Sequence, residues 1–215
     1  MIEAEVVSFD LDGTLIDHVF TDSVWFEGIP RLYVEREKIP LKEAREIVKR
    51  EYDEVGMERL EWYDVKYWLK RFDLGEDWWG LLNQYRSKIR LYPEVPNVLE
   101  KLRGYDLVMI TNSPREFLSI ELEETRIGNY FKNIFSSTSD FGQVKKTTDF
   151  YVKVSNILGI PPQRIAHVGD NWIFDFVIPR EIGIKSFYLN RKGERGGEYV
   201  VRDLKEFMKK LQRIK

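Results

Sequence analysis

Val6-Val7-Ser8-Phe9-Asp10-Leu11-Asp12-Gly13-Thr14-Leu15 is a short apolar run that ends abruptly in two carboxylates and a glycine. Its first four residues are typical of a buried strand, and Asp12-Gly13 favours a turn directly after it. Asp10 and Asp12 lie two residues apart, so in an extended chain their side chains point to the same face. Carboxylates that close disfavour joint ionisation unless a cation or a shared proton lies between them. The stretch predicts a site at a strand end; a hairpin turn is the alternative, because Asp-Gly is a frequent turn pair.

Three later segments also carry polar residues suited to chemistry, in the order Ile110-Thr111-Asn112, Lys145, and Gly169-Asp170-Asn171 followed by Asp175. They add a hydroxyl, a fixed cation and two further carboxylates. This set suits phosphoryl transfer through an aspartyl phosphate with a bound divalent metal. Mg²⁺ with oxygen ligands would relieve the repulsion between the carboxylates.

Composition limits the possible classes of protein. A chain of 215 residues fits one large domain, or one domain that carries an insertion. With 43% hydrophobic and 33% charged residues, the sequence predicts a folded, highly charged globular protein. A net charge of −2 indicates no nucleic-acid or anionic-membrane partner. The absence of cysteine excludes disulfides, thiolate metal sites and cysteine nucleophiles.

Location and habitat also follow from composition as expectations. The strand-like run begins so close to Met1 that we expect no signal peptide, and no apolar run approaches the length of a membrane span. We therefore expect a cytoplasmic protein, monomeric or weakly dimeric. Four glutamines beside 34 Lys+Arg and 36 Asp+Glu favour a heat-adapted source.

The chain changes character twice along its length. From His18 to Ile89, apolar residues recur at helical spacing, and this stretch holds five of the six tryptophans. It predicts a unit of about four helices. From Leu91 onward, strand and helix patterns alternate, which predicts a parallel sheet covered by helices on both faces. Predicted strands are 106–110, 134–136, 164–168 and 185–189; predicted helices are 95–103, 116–124, 150–158, 174–182 and 204–214.

The fold class predicted is α/β: a Rossmann-like catalytic core, residues 1–16 and 91–215, with an inserted all-α cap, residues 17–90. In such sheets ligands bind beyond the carboxyl ends of the strands. Asp10, Thr111 and Asp170 each fall at a predicted strand end, so we expect them to meet at one edge.

These motifs resemble those of the haloacid dehalogenase (HAD) superfamily of hydrolases, whose first motif is hhhDxDG(T/V). The resemblance covers nearly the whole chain, and Asp170 with Asp175 fits the family's GDxxxxD form. The insertion after Leu15 resembles the family's helical cap, and Tyr92-Pro93-Glu94-Val95 its return to the core.

The resemblance implies a role for each motif residue. Asp10 would be the nucleophile and Asp12 the general acid and base. Thr111, Asn112 and Lys145 would bind the phosphoryl group. Asp10, Asp170 and the backbone carbonyl of Asp12 would hold Mg²⁺. Asp175 would orient the lysine or reach the metal through water, and we favour the former role.

Two departures from the family pattern leave alternatives open. The family's lysine is usually followed by proline, whereas Lys146 follows Lys145 here, so Lys146 is the alternative motif lysine. Pro179 interrupts the segment after Asp175 and is tolerated only in the first turn of a helix.

Other residues carry weaker signals. We interpret His167 as a core residue, and the Gly- and charge-rich segment 191–197 as plain surface. His18 could face the substrate, and Arg59 could bind an anionic one, although an exposed charged loop is the default. The aromatic residues Tyr67, Trp68, Phe72, Trp78 and Trp79 are expected to form the core of the cap, while Trp25, Trp62 or Tyr63 could line the pocket.

The function predicted is a Mg²⁺-dependent phosphatase that acts on a small phosphorylated metabolite. A 2-haloacid dehalogenase is the alternative within the family, but expelling halide needs no proton, and such enzymes generally lack a carboxylate at the position of Asp12. A phosphomutase or phosphonatase on the same scaffold stays open, because the cap decides it. A binding module that has lost catalysis is disfavoured, because every motif residue is present.

Overall fold

The computed structural model describes residues 4–193 and 195–213, which contain six strands. The strands are β1 Val6–Phe9, β2 Asp106–Thr111, β3 Asn133–Ser136, β4 Ile165–Gly169, β5 Lys185–Leu189 and β6 Val200–Val201. They form one sheet in the order β3-β2-β1-β4-β5-β6, and every neighbouring pair is parallel. Because β1 pairs only with the parallel strands β2 and β4 within the described residues, Asp12-Gly13 does not turn into a hairpin.

Helices connect these strands. They are α1 Val19–Ser23, α2 Ile29–Glu37, α3 Leu41–Val55, α4 Val65–Arg71, α5 Trp78–Gln84, α6 Val95–Lys101, α7 Arg115–Thr125, α8 Ser137–Phe141, α9 Thr148–Leu158, α10 Ile178–Glu181 and α11 Leu204–Arg213. Wider π-type turns, Val24–Gly28 and Trp172–Val177, lead into α2 and α10. Pro179 lies in the first turn of α10, the place in a helix where proline costs least. The last predicted helical residue, Ile214, lies outside the described residues.

The sheet is covered on both faces. Alternate residues of a strand point to opposite faces, and β1 shows this directly. Val6 packs in a buried cluster with Phe150 and Tyr151 of α9. Phe9 instead contacts Phe207 of α11 edge-to-face, with ring centroids 5.7 Å apart. The predicted Rossmann-like α/β core is confirmed.

The described chain divides into two compact units. The first comprises residues 4–17, 91–112 and 127–213, and holds the whole sheet. The second comprises residues 18–90 and 113–126, so α7 groups with the inserted segment. The assignment of 17–90 as a separate cap domain stays a prediction.

The second unit is built from helices around an aromatic core. Trp68 is fully buried, stacks on Phe72 at 5.6 Å and meets Tyr52 at 4.5 Å between ring centroids. Phe117 of α7 stacks on Trp25 at 5.1 Å. These contacts explain why the segment is rich in aromatic residues. Among the described helices, none has a stretch apolar and long enough to cross a membrane.

Candidate active site

Asp10 lies directly after the central strand β1. Its backbone N–H donates to the Val168 carbonyl at 3.0 Å, and the strand register places the preceding residue, Phe9, between Met109 and Val168. Its side chain is buried. The carboxylate accepts a hydrogen bond from the Thr14 hydroxyl at 3.2 Å and an ion-pair contact from Lys146 Nζ at 2.7 Å. Asp10 is therefore held from two sides at the carboxyl edge of the sheet.

The turn after Asp10 places Asp12. The Leu11 carbonyl accepts backbone hydrogen bonds from the N–H groups of Thr14, Leu15 and Ile16, and the chain folds tightly around it. Gly13 adopts a φ of +77°, a conformation that favours glycine because it has no Cβ. Asp12 projects from this turn two residues after Asp10 and is half-buried.

The structure places Lys146 against Asp10, which favours the alternative motif lysine over Lys145, our first choice. Lys146 is buried; its ammonium contacts Asp10 and Asp175 and lies 3.4 Å from the Ile110 carbonyl. Lys145 is only half-buried and sits 5.9 Å from the Phe174 ring centroid. Side chains of neighbouring residues in an extended segment point in different directions, which agrees with the different surroundings of these two lysines.

Asp175 is fully buried and fixes the position of Lys146. It forms an ion pair with the Lys146 ammonium and also accepts the Asn171 backbone N–H at 3.0 Å. Gly169 leaves room for it, because a Cβ at that position would overlap the Asp175 carboxylate. Asp175 thus contacts a lysine, Lys146, and its lysine-orienting role stays a prediction.

His167 extends this network under the sheet edge. Its Nε2 lies 3.2 Å from Asp175 Oδ1, and its Nδ1 lies 2.8 Å from the Ser8 hydroxyl. A carboxylate only accepts, so the proton is assigned to Nε2 and Ser8 donates to Nδ1. Burial lowers the pKa of His167, which keeps the ring neutral. His167 is a core residue, as expected, but one that contacts the site.

The pKa values of the two buried carboxylates, Asp175 and Asp10, shift in opposite directions. Burial would raise the pKa of Asp175, but Lys146 and the hydrogen bond from His167 outweigh it and lower this pKa to about 2. For Asp10, burial and the neighbouring Asp170 and Asp175 outweigh Lys146 and raise the pKa well above its usual value. One ammonium does not balance this much negative charge.

A bound divalent cation would balance the negative charge that Lys146 leaves uncompensated. Carboxylate oxygens of Asp10, Asp170 and Asp175 all lie within 4.8 Å of one another. Asp10 and Asp175 are buried and Asp170 is half-buried. Hard oxygen donors in a partly enclosed pocket are the ligands that Mg²⁺ prefers. The donor set therefore fits a Mg²⁺ site, and Asp170 stands where the sequence predicted it.

Thr111 and Asn112 end the neighbouring strand. Thr111 is the last residue of β2 and is buried. The Asn112 side chain accepts from the Ser137 hydroxyl at 2.8 Å and donates to the Val144 carbonyl at 3.1 Å. The amide thus ties β2 to the loop that leads to Lys146. The predicted role of Asn112 in binding the phosphoryl group stays a prediction.

Sequence reasoning missed two residues of the site. Thr14 donates to the nucleophile candidate, and its place within the first motif was the available signal. Tyr151 approaches His167 Nε2 at 3.2 Å and donates to the Phe174 carbonyl at 2.8 Å. The signal for Tyr151 was weaker, because an aromatic residue one turn into a helix is usually interpreted as a residue of the hydrophobic core.

The second unit contains the other residues singled out from the sequence. Arg59 pairs with Glu61 at 2.6 Å, so its charge is partly balanced locally. Trp25 and Trp62 lie 6.3 Å apart between ring centroids. His18 and Trp79 are exposed, so Trp79 is not part of the core expected for the aromatic group. No role for these residues is tested by this geometry.

Comparison with known proteins agrees with the fold and the motifs. The sequence profile of the haloacid dehalogenase-like hydrolases matches residues 4–176. A GMP/IMP nucleotidase of Escherichia coli is 25% identical over 171 residues, covering 79% of this chain and 75% of that protein. A phosphoglycolate phosphatase of Pseudomonas putida is 29% identical over 178 residues, covering 77% and 62%.

Among solved structures, a HAD phosphatase from Thermococcus onnurineus superposes with a TM-score of 0.81 at 27% identity, covering 97% of each chain. The match of the family profile spans most of the chain, including the first motif and the Asp170–Asp175 segment. The chain therefore belongs to the haloacid dehalogenase-like hydrolase family, an enzyme family whose phosphatase-type members it resembles.

Proposed function

We propose that the protein hydrolyses phosphoric monoesters of small metabolites through an aspartyl phosphate formed on Asp10. One observation carries this proposal: Asp10 lies buried between a lysine ammonium and two further carboxylates, with Asp12 two residues along the same turn. A carboxylate nucleophile, a fixed cation and a second acid are the groups that phosphoryl transfer through a covalent intermediate requires.

In the first half-reaction, a carboxylate oxygen of Asp10 attacks phosphorus and forms a new P–O bond. The bond from phosphorus to the substrate oxygen breaks, and that oxygen keeps the electron pair and takes a proton from the Asp12 carboxyl group. The products are a free alcohol, a phosphorylated Asp10 and an ionised Asp12.

In the second half-reaction, water attacks phosphorus and gives a proton to the Asp12 carboxylate. The P–O bond to Asp10 breaks, its electron pair returns to the Asp10 carboxylate, and inorganic phosphate leaves. Asp12 is then protonated again for the next cycle. Each proton that Asp12 gives in the first step is recovered in the second.

Lys146 balances negative charge throughout both steps. Burial would lower its pKa, but Asp10 and Asp175 outweigh burial and raise it, so the ammonium stays protonated. Its charge reaches Asp10 in a buried site, where electrostatic interactions are stronger than in water. Thr111 and the backbone N–H of Asn112 would hydrogen-bond the phosphoryl oxygens at the adjacent strand end.

Asp10, Asp170 and the backbone carbonyl of Asp12 would hold Mg²⁺. When bound, the ion supplies charge neutralisation and Lewis-acid polarisation of a phosphoryl oxygen. Asp175 would stay engaged with Lys146 and support the site from behind. The metal requirement is thus a proposal that rests on the acidic cluster.

The substrate class proposed is a small phosphate monoester. The names of the two relatives give candidates, namely GMP and IMP from one and phosphoglycolate from the other. A neutral or anionic leaving group is compatible with the site, because the chemistry occurs at phosphorus. The inserted helical segment is where we expect the choice between such substrates to be made.

Dehalogenation is the reaction to be separated from this proposal. It uses the same nucleophile but expels halide, which needs no proton. The presence of Asp12 after Asp10 therefore favours the phosphatase.

The test is hydrolysis of 4-nitrophenyl phosphate with Mg²⁺, with and without EDTA, beside chloride release from 2-chloropropionate. We expect phosphatase activity that EDTA abolishes, and no release of chloride. Asp10→Asn should abolish turnover, while Asp12→Asn should accumulate a phosphoenzyme detectable by intact mass.

Asp106→Asn is the matched control, because Asp106 lies at the amino end of β2, away from the carboxyl ends of the strands where Asp10 lies, and pairs with Lys132. It should keep wild-type activity. Wild-type turnover in the Asp10→Asn variant would overturn the proposal.

A further inference from the structure

Arg191 follows β5 at the same edge of the sheet as Asp10, in the segment that the sequence suggested was plain surface. Its guanidinium donates from Nη2 to the Thr14 carbonyl at 2.7 Å and from Nε to the Gly13 carbonyl at 3.3 Å. Both carbonyls belong to the turn that begins at Leu11 and contains Asp12. Arg191 therefore binds the backbone of the two residues that directly follow Asp12.

Arg191 is itself held in place by two partners. Its Nη1 donates to the buried Glu94 carboxylate at 2.8 Å, and its guanidinium carbon lies 3.4 Å from the centroid of the Tyr92 ring. Its side chain is only 20% exposed. A planar guanidinium can make these contacts together, whereas a lysine ammonium has neither the fork nor the flat face.

Backbone hydrogen bonds hold both ends of the turn that Arg191 contacts, and at its far end the Tyr92 N–H donates to the Leu15 carbonyl at 3.0 Å. The Leu11 carbonyl collects three backbone N–H groups, and the Gly13 N–H donates to the Ile16 carbonyl at 2.7 Å. The carbonyls of Gly13 and Thr14, in the middle of the turn, accept hydrogen bonds from Arg191. Movement of this stretch would displace Asp12, and also the Thr14 hydroxyl that donates to Asp10.

We propose that Arg191 is a positioning residue that holds the 11–16 turn so that the Asp12 carboxyl group can protonate the leaving oxygen. This inference rests on the proposed phosphatase function and assigns a role within it. Glu94 and Tyr92 orient Arg191, and Arg191 acts only through the turn. A misplacement of about 1 Å can cost about 100-fold in rate, so the loss of one anchor is enough to matter.

The role has a signature that general destabilisation lacks. Leaving groups that are weak acids need the proton from Asp12, whereas the acidic 4-nitrophenol leaves without much help. The value of kcat/KM reports the steps up to departure of the leaving group. The ratio of kcat/KM between two substrates, measured on one preparation, is independent of the fraction of folded enzyme.

The experiment compares 4-nitrophenyl phosphate with phenyl phosphate in the wild type, Arg191→Lys, Arg191→Met and Glu94→Gln. For both Arg191 variants, we expect kcat/KM for phenyl phosphate to fall by about 100-fold and that for 4-nitrophenyl phosphate by less than about 10-fold. Glu94→Gln should shift the ratio in the same direction by a smaller factor. It also tests the inference if Arg191→Met fails to fold.

Arg195→Met is the matched control, because Arg195 lies four residues on in the same segment and stacks on Trp172 instead, 4.4 Å from the ring centroid. Its ratio should equal that of the wild type. An unchanged ratio in Arg191→Lys and Glu94→Gln, whatever the overall loss, would overturn the inference. Failure of the wild type to hydrolyse either ester would instead overturn the phosphatase proposal.

Discussion

Exchange of Lys146 and of Lys145 for methionine is the sharpest test of the site, because the two residues are adjacent in sequence and we propose that Lys146 is the one that acts on Asp10. The Lys146 ammonium lies 2.7 Å from Asp10 Oδ1 and also contacts Asp175, and its side chain is 3% exposed. At an effective dielectric constant of about 20, a pair of charges at that distance interacts by about 6 kcal/mol before desolvation is subtracted. Lys145 is half-buried, and its ammonium lies 5.9 Å from the centroid of the Phe174 ring.

Lys146→Met removes the cation and leaves two buried carboxylates facing each other. Removing one partner of a buried ion pair typically costs about 3–5 kcal/mol in the free energy of unfolding. For a chain of this size that corresponds to a fall in Tm of about 6–20 °C. Loss of a charge that stabilises the transition state lowers kcat by a further factor of about 10² to 10³.

The assay is kcat for 4-nitrophenyl phosphate with Mg²⁺ at a temperature where circular dichroism shows each variant fully folded, beside thermal unfolding. Lys145→Met should stay within about twofold of wild-type kcat and within about 0.5 kcal/mol in stability, as expected for a change outside the site. Adding Asp175→Asn to Lys146→Met should recover part of the lost stability, because it removes one of the uncompensated charges. A large loss in Lys145→Met beside wild-type behaviour in Lys146→Met would refute the assignment of the lysine.

Three further predictions follow from the same geometry. Mg²⁺ at 100 times its Kd should stabilise the wild type by about 2.7 kcal/mol and so raise its Tm, measured by thermal unfolding with Mg²⁺ and with EDTA. Asp170→Asn should abolish this rise in Tm, and an undiminished rise would contradict the assignment of Asp170 as a metal ligand. Gly169→Ala should lower both kcat and the free energy of unfolding, because a Cβ there overlaps Asp175. Gly159→Ala should lower only the free energy of unfolding, measured by urea titration, because its position has open space but a φ of +67°. Trp68→Ala should lower the free energy of unfolding by about 3–5 kcal/mol, because Trp68 is fully buried against Phe72 and Tyr52, and exposed Trp79→Ala should change it by less than about 1 kcal/mol in the same titration.

The fold was predictable because its strands are strong local signals. Leu107 to Ile110 and Ile165 to Val168 are continuous or nearly continuous apolar runs, as a strand buried on both faces requires. The elements that escaped prediction are short. Strand β6 contains two residues, and helix α8 contains five, so neither gives a periodic pattern that can be distinguished from a loop.

The meeting of Asp10, Thr111 and Asp170 at one edge of the sheet was predictable for a related reason. Asp10, Thr111 and Asp170 stand directly at strand ends, and parallel strands bring those ends to one edge whatever the details of packing. The lysine was not determined in the same way. It comes from the loop before α9, where the direction of a side chain depends on the path of the backbone.

The sequence alone determined the class of fold, the edge of the sheet where the candidate site lies and the carboxylates that stand there, because hydrophobic periodicity and the residues at strand ends are local properties of the chain. Only the tertiary structure decided that Lys146 contacts Asp10, that His167 lies within hydrogen-bond distance of Asp175, and that Arg191 donates hydrogen bonds to the turn beside Asp12. These contacts join residues between 8 and 178 positions apart. Their formation depends on where the packed sheet places each segment, which no short stretch of sequence records.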